Sequence, residues 1–129
     1  GFLRSLTLVP PLPQQPDAIL SLNLLNQLDI ILCDYLQKKL TISDVECNGL
    51  REKIQSFHLE WIGRTPGVII TDAVEIQRDQ KGNENRITLL HTALPSGFRQ
   101  ESWLWDFDTS GSYRRGRTVS MEVKAVEWT

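Results

Sequence analysis

The chain has 129 residues, which is enough for one domain with a hydrophobic core and too few for two. Its net charge of −2, with acidic and basic residues spread evenly, disfavours binding of nucleic acid through a broad basic surface. The two cysteines, Cys33 and Cys47, are too few for a disulfide framework, so we expect an intracellular, cytoplasmic protein. The longest apolar-rich stretch, residues 19–36, is interrupted by Asn, Gln and Asp, and we expect no membrane contact.

The first sixteen residues are rich in proline, which fixes the backbone angle φ and donates no backbone hydrogen bond. This segment is predicted to be extended, and to serve either as a packed connector or as a ligand for a proline-binding domain. It leads into the rest of a single α+β domain over residues 1–129, in which a helical pair at 17–63 precedes a sheet at 67–129.

Residues 17–40 are predicted to form the first helix, because apolar side chains recur every three or four positions. Two apolar flanks share this helical spacing, so the helix is expected to be mostly buried, between two elements or against a partner chain. The broader flank consists of Leu20, Leu24, Leu25, Leu28, Ile31, Leu32, Tyr35 and Leu36, and the second of Ile19, Leu22, Ile30 and Cys33.

A second helix is predicted over residues 43–63. Ser43 and Glu46 have the spacing of a capping box, in which the two side chains accept hydrogen bonds from backbone N–H groups at the helix start. Gly63 is a typical C-terminal stop. Apolar residues at three- and four-residue spacing predict a buried stripe, formed by Cys47, Leu50, Ile54, Phe57 and Trp61.

Beyond Gly67 the apolar residues alternate with a period of two, which is typical of strands. Four strands are predicted, at residues 68–79, 86–94, 98–108 and 118–129. Because short loops join them, we expect an antiparallel meander with the two N-terminal helices on one of its faces. The predicted architecture is therefore an α+β two-layer sandwich.

The alternation in the last two predicted strands divides their side chains between two faces. If the aromatic side chains face the core, the solvent face carries four charged residues, Asp106, Asp108, Glu122 and Lys124. The simplest interpretation is a solvated sheet face with opposite charges paired across strands. Asp106 and Asp108 also have the D-x-D spacing that can bind a divalent metal beside a sugar nucleotide.

The spacing of Asp106, Glu122 and Lys124 resembles the PD-(D/E)xK nuclease motif, although Trp105 stands where that family has proline. The resemblance implies that Asp106 or Asp108 and Glu122 bind Mg²⁺ or Mn²⁺. It also implies that Lys124 stabilises charge on the nucleophile or the phosphate.

The loop before the last predicted strand is rich in arginine, whose planar donors suit phosphate and carboxylate groups. It is either a solvated loop or a contact with an acidic protein or nucleic acid, through Tyr113, Arg114, Arg115 and Arg117. Trp128 is expected to stay partly exposed and to be a further contact residue.

No cofactor is expected outside the metal-dependent interpretation, and His58 and His91 are expected to be structural because nothing places them near a nucleophile. The sequence favours a non-catalytic protein-interaction or assembly module, as a homo-oligomer or a subunit of a larger complex. Its contact surface would be the first helix or the edge of the sheet. A metal-dependent nuclease or phosphoesterase is the second hypothesis, and a nucleic-acid-binding domain that uses the arginine loop is the third.

Overall fold

The computed structural model of the chain describes residues 14–97 and 99–129. Most of the proline-rich segment predicted at residues 1–16 lies outside the described residues. Within them the chain forms five strands and two helices, neither of which is long and apolar enough to cross a bilayer. The elements are β1 (Ile19–Leu22), α1 (Gln27–Lys39), α2 (Asp44–Ile62), β2 (Gly67–Arg78), β3 (Glu84–Thr88), β4 (Arg99–Asp108) and β5 (Thr118–Trp128).

These strands form one mixed sheet around β2. Strands β1, β2, β5 and β4 lie side by side in that order, and β3 pairs with the second half of β2. β1 runs parallel to β2, whereas the other pairs are antiparallel. The predicted α+β class is confirmed, but the purely antiparallel meander is wrong, because β1 joins the sheet and β3 and β4 lie on opposite sides of the β2–β5 pair.

The predicted first helix is divided into a strand and a shorter helix. Residues 19–22 form β1, and α1 begins only at Gln27. Between them Asn23 has a positive φ of 50°, a left-handed conformation that Asn adopts more readily than most residues. A short run of Ile and Leu satisfies the helical and the strand pattern alike, so its periodicity could not reveal this boundary.

The side chains that α1 buries are not those of the predicted broad flank. Leu28, Ile31 and Tyr35 are exposed, Ile31 to 74%. Asp29 and Cys33, one turn apart, are buried instead. The expectation of a mostly buried helix is wrong, because α1 packs against α2 along this narrow seam rather than lying flat on the sheet.

The start and end of the second helix agree with the prediction, as does the burial of Cys47, Leu50 and Ile54, but Phe57 and Trp61 are only partly buried. Ser43 Oγ accepts a hydrogen bond from the Glu46 N–H, and the Glu46 carboxylate accepts one from the Ser43 N–H. A cap of this kind contributes about 1 kcal/mol. The helix ends before Gly63, as predicted. Its buried side chains are Cys47, Leu50, Ile54, Gln55, His58 and Ile62.

The largest group of buried apolar side chains joins α2 to one face of the sheet. It consists of Leu25, Ile62, Ile69, Val126 and Trp128. The expected exposure of Trp128 is wrong, since its side chain is 6% exposed and Nε1 donates a 2.8 Å hydrogen bond to the Thr65 carbonyl. Trp128 is buried because β5 remains paired with β2 as far as Gly67, which has no side chain to obstruct the indole.

The aromatic side of β4 does not face the core, contrary to the sequence prediction. Trp103, Trp105 and Phe107 are 42%, 47% and 39% exposed. Trp103 is opposite Val123 of β5, and Val123 points away from the face on which Val126 contacts the α2 cluster. The aromatic residues are exposed because β4 is an edge strand, and α2 packs on the opposite face of the sheet against β2 and β5.

Two glycines offer a matched test of the packing. A Cβ added to Gly67 would lie 2.5 Å from the Ile19 carbonyl oxygen and 3.0 Å from Trp128 Cζ2, whereas one added to Gly49 would meet nothing within 4 Å. We expect Gly67→Ala to lower the free energy of unfolding by about 1–3 kcal/mol through overpacking. Gly49→Ala should raise it by about 0.5–1 kcal/mol, because alanine favours a helix interior. Urea unfolding measures both changes, and an undiminished stability of Gly67→Ala would contradict the packing described here.

Candidate functional site

One edge of β2 changes its pairing partner halfway along. Gly67–Ile70 pair with β1, and Val74–Arg78 pair with β3. Between these stretches the Asp72 N–H donates to Asn23 Oδ1 at 3.3 Å, and the Asp72 carbonyl accepts from Asn26 Nδ2 at 3.1 Å. Side chains therefore supply the hydrogen bonds that a neighbouring strand would otherwise make.

A polar cleft of about 330 Å³ opens at this change of partner. Its walls are formed by side chains from both helices, the segment before α1, strands β2 to β5, the segment after β3 and the β4–β5 loop. They include Asn23, Asp29, Asp72, Glu75, Phe107 and Tyr113. The volume is at the lower end of the range of small-molecule sites.

Asp29 and Gln55 form a buried polar pair in the cleft wall. Asp29 is 1% exposed, and its Oδ2 accepts a 2.6 Å hydrogen bond from Gln55 Nε2. Gln55 also donates to the Leu89 carbonyl and accepts from the His91 N–H, so it joins both helices to the segment after β3. Burial raises the pKa of Asp29 to about 6, although Gln55 and Arg51 oppose the shift. A carboxyl group with a raised pKa in a cleft is a candidate functional group.

The arginine loop is attached to the sheet through a buried carboxylate. Glu75 is 2% exposed, and its two oxygens accept hydrogen bonds of 3.2 Å from Arg114. This contact raises the pKa of Arg114. Arg117 donates to Gln77, which donates to Glu75. Two of the three loop arginines therefore bind β2, through partners 39 and 40 residues earlier in the chain that no local sequence signal could identify.

The remaining residues of this loop are on the surface. Tyr113 is half-exposed, with the Arg114 guanidinium 5.0 Å from its ring centre and the Phe107 ring 4.9 Å away edge to face. Arg115 is exposed. Contact between this loop and an acidic partner stays a prediction, and Tyr113 and Arg115 are the residues best placed to make it.

Three of the four charged residues in the nuclease interpretation share one face of the sheet. Asp106, Glu122 and Lys124 point to the same side, as their alternation predicts. Glu122 and Lys124 line a shallow groove of about 540 Å³. Glu122 Oε2 accepts a 3.1 Å hydrogen bond from Arg86, and Asp106 Oδ1 accepts one of 3.1 Å from Ser120.

Asp108 stabilises the β4–β5 loop instead. A bulge between Asp106 and Asp108 shifts the register, and the Asp108 carboxylate accepts hydrogen bonds from Ser110 Oγ and the Tyr113 N–H. These bonds lower the pKa of Asp108 to about 2. Within residues 14–97 and 99–129, no three Asp, Glu, His or Cys side chains are grouped so as to hold a metal ion. The nuclease interpretation stays a prediction.

The structure also joins a serine and a histidine that the sequence did not connect. Ser21 Oγ and His58 Nε2 are 2.8 Å apart, at the contact between β1 and α2. Hydrolases use such a contact between nucleophile and base, but here both side chains are buried. Burial lowers the pKa of His58, so a neutral imidazole is favoured. These observations support a structural role for the pair.

An apolar surface is uncovered on the side of the sheet away from α2. Leu20 and Leu22 in β1 are exposed, as are the two tryptophans of β4. Leu22 and both tryptophans line one shallow depression with Ile70 and Val123. We call this surface the apolar face, defined as the exposed Leu20, Leu22, Trp103 and Trp105 together with Ile70, which is partly buried, and Val123, which is buried.

Comparisons with models of known protein families, with curated proteins and with solved structures found no significant match to this chain. The cleft, the arginine loop and the apolar face are therefore the features from which a function can be inferred.

Substitutions of two neighbouring arginines in the loop distinguish a structural role from a surface role. Arg114→Ala removes the cation that binds the buried Glu75 carboxylate, and we expect it to lower the free energy of unfolding by about 1–2 kcal/mol. Arg114 is itself half-exposed, which keeps this loss below that of a fully buried pair. Arg115→Ala, the control, should change it by less than about 0.5 kcal/mol. Equal effects in urea unfolding would contradict the assignment.

Asp29→Asn tests the cost of the buried carboxylate. The folded protein holds a proton on Asp29 up to about pH 6, whereas the unfolded chain releases it near the ordinary pKa of 3.8. The free energy of unfolding of the wild type therefore falls as the pH rises through this window. The variant has no carboxyl group at this position, so its free energy of unfolding does not fall in this way. The difference in the free energy of unfolding between the variant and the wild type should therefore increase, in favour of the variant, by on the order of 1–3 kcal/mol between about pH 4 and pH 7.

Unfolding curves at several pH values measure this difference. The pKa values of His58 and His91 are lowered by burial in both proteins, so their titration cancels. A difference that does not change with pH would show that Asp29 ionises normally.

Proposed function

We propose that the chain is a non-catalytic assembly module that associates with a second copy of itself through β4 and the apolar face. The observation that carries this proposal is the exposure of β4. Nine of its ten residues are exposed, and residues 103–105 at its centre are apolar on both sides of the strand. Large exposed apolar patches are typical of protein contact sites.

The edge of β4 is poorly protected against pairing with another strand. An open edge presents unpaired N–H and C=O groups, and natural proteins usually block it with charges, proline or a bulge. The charges of β4 lie towards its ends, with Arg99 and Glu101 at one end and Asp106 and Asp108 at the other. Its bulge also lies at residues 106–108, so the centre of the strand is open to a partner.

A second copy is a suitable partner because β4 can pair with β4 of another molecule without opposing like charges. In an antiparallel pair centred on Trp103, Glu101 would lie opposite Trp105 and Arg99 opposite Phe107 of the second copy. This arrangement opposes no like charges and places two indoles at the symmetry axis. The contact would use the same surface of both copies, as in most homodimers.

The exposed stripe of α1 is the alternative contact surface, with Leu28, Ile31 and Tyr35. The sequence predicted association through this helix or through the sheet edge. We favour the edge, because a strand offers backbone hydrogen bonds as well as apolar side chains. The backbone groups inside a helix are already bonded to each other.

Two charge substitutions distinguish the surfaces. We expect the wild-type protein to dimerise at micromolar concentration, and Trp105→Glu to weaken the dimer at least about 30-fold, because it places a charge at the centre of an apolar contact. Ile31→Glu, the matched control on α1, should leave the dissociation constant unchanged. Sedimentation equilibrium measures the constants, and circular dichroism verifies that each variant is folded.

Two outcomes would contradict the proposal. If the wild-type protein remains monomeric at high micromolar concentration, the chain does not self-associate and the proposal is wrong. A dimer weakened by Ile31→Glu and not by Trp105→Glu would assign the contact to α1.

A further inference from the structure

The apolar face extends across four strands, and most of it lies beyond the reach of a contact between two β4 strands. Leu22 of β1 is opposite Ile70 of β2, and Trp103 of β4 is opposite Val123 of β5. The order of these strands is β1, β2, β5 and β4. Neighbouring strands are about 4.8 Å apart, which places β1 about 14 Å from β4. A strand added to the edge of β4 therefore leaves Leu22 exposed.

Antiparallel pairing of two β4 strands places both apolar faces on the same side of one sheet. Residues directly opposite each other in such a pair point to the same side. With Trp103 opposite Trp103 of the second copy, the two faces become one continuous surface, to which each copy contributes the four strands from β1 to β4. Edge pairing therefore enlarges the exposed apolar surface and does not cover it.

The joined surface is large enough to form a contact of its own. Trp103 and Trp105 are 42% and 47% exposed, and a tryptophan side chain has up to about 250 Å² of surface, so two copies expose about 400 Å² of indole. Leu20 and Leu22, which are 67% and 60% exposed, add roughly as much again. The largest apolar patch of a typical monomer is about 300–600 Å², whereas each partner of a standard protein contact buries about 800 Å².

The charges at one end of the apolar face favour a protein partner over a membrane. Arg99, Glu101 and Glu127 lie there around a shallow depression, and Arg99 forms a 2.6 Å ion pair with Glu101. Surfaces that bind anionic lipid are rich in lysine and arginine. Here the acidic residues outnumber the basic one, and the whole chain has a net charge of −2. A rim that carries both signs is compatible with a copy of itself.

We propose that two dimers stack with their apolar faces against each other and form a closed tetramer. This inference rests on the proposed function, because the joined face exists only in the dimer paired through β4. The two sheets pack about 10 Å apart as the layers of a β-sandwich, with the leucines of β1 and the tryptophans of β4 between them. Every copy then uses its edge once and its face once, so the assembly stops at four copies and does not grow into a fibre.

Substitution of a leucine in β1 tests the face without touching the edge. Leu22→Glu places a charge on the apolar face, and β2 and β5 separate it from β4. We expect it to raise the dissociation constant between tetramer and dimer at least about 30-fold, and to leave the constant between dimer and monomer unchanged. Sedimentation velocity over a range of concentrations measures both constants, and circular dichroism verifies that the variant is folded.

Leu40→Glu is the matched control. It makes the same change directly after α1, at a side chain that is 57% exposed, and should leave both constants unchanged. If Leu22→Glu does not fold, Leu20→Glu replaces it, because Leu20 is still more exposed and belongs to the same face.

The possible results separate this inference from the proposed dimer. A wild-type protein that stays dimeric at high micromolar concentration would overturn the tetramer and leave the dimer standing, whereas a monomeric wild type would overturn both. Equal effects of Leu22→Glu and Leu40→Glu would show that the apolar face is not the second contact. Conversion of a wild-type tetramer to monomers by Leu22→Glu would show that the edge of β4 does not hold two copies together, which contradicts the proposed dimer and the stacking derived from it.

Discussion

The hydrogen bonds of β2 are the constraint on which the rest of this structure depends. β5 pairs with β2 along its whole length on one side, but neither β1 nor β3 is long enough to cover the other side. Because β2 is central, its backbone groups must find partners there too. Asn23 and Asn26 bind the uncovered Asp72, which fixes the chain between β1 and α1 against the sheet. The cleft is the space left beside this join.

Several buried polar side chains of this protein connect segments that are distant in sequence. Asp29 and Gln55 join the two helices, and Glu75 joins β2 to the loop that carries Arg114. Burial of such groups costs free energy unless they are bonded, and even bonded pairs are weak evidence of stability. These contacts fix the positions of the segments that they join. They hold the carboxyl groups of Asp29 and Glu75 and the rings of Phe107 and Tyr113 around one small cleft.

The sequence predicts those features whose causes are local. The capping box of Ser43 and Glu46 defines the start of α2, and alternation correctly places Asp106, Glu122 and Lys124 on one face. Alternation also separates the two faces of β4, but the strand order places β4 at the edge of the sheet and leaves both faces exposed, so the exposure of Trp103 could not be predicted. β1 could not be predicted for a similar reason. Its residues suit a helix or a strand equally well, and only pairing with the distant β2 makes them a strand. The contact of Arg114 with Glu75 and the cleft itself arise only when distant segments meet.

The parallel pairing of β1 with β2 also bears on the order in which the chain folds. β3 follows β2 through a short turn, and β5 pairs with β2 at eleven positions, whereas both helices lie between β1 and β2 and only four positions pair these two strands. Closing a longer connection costs more entropy and is slower. We therefore expect β1 to join last and to detach first, in local openings that leave the antiparallel strands paired. Because Asn23 directly follows β1, the cleft would be the last part of the molecule to form and the first to open.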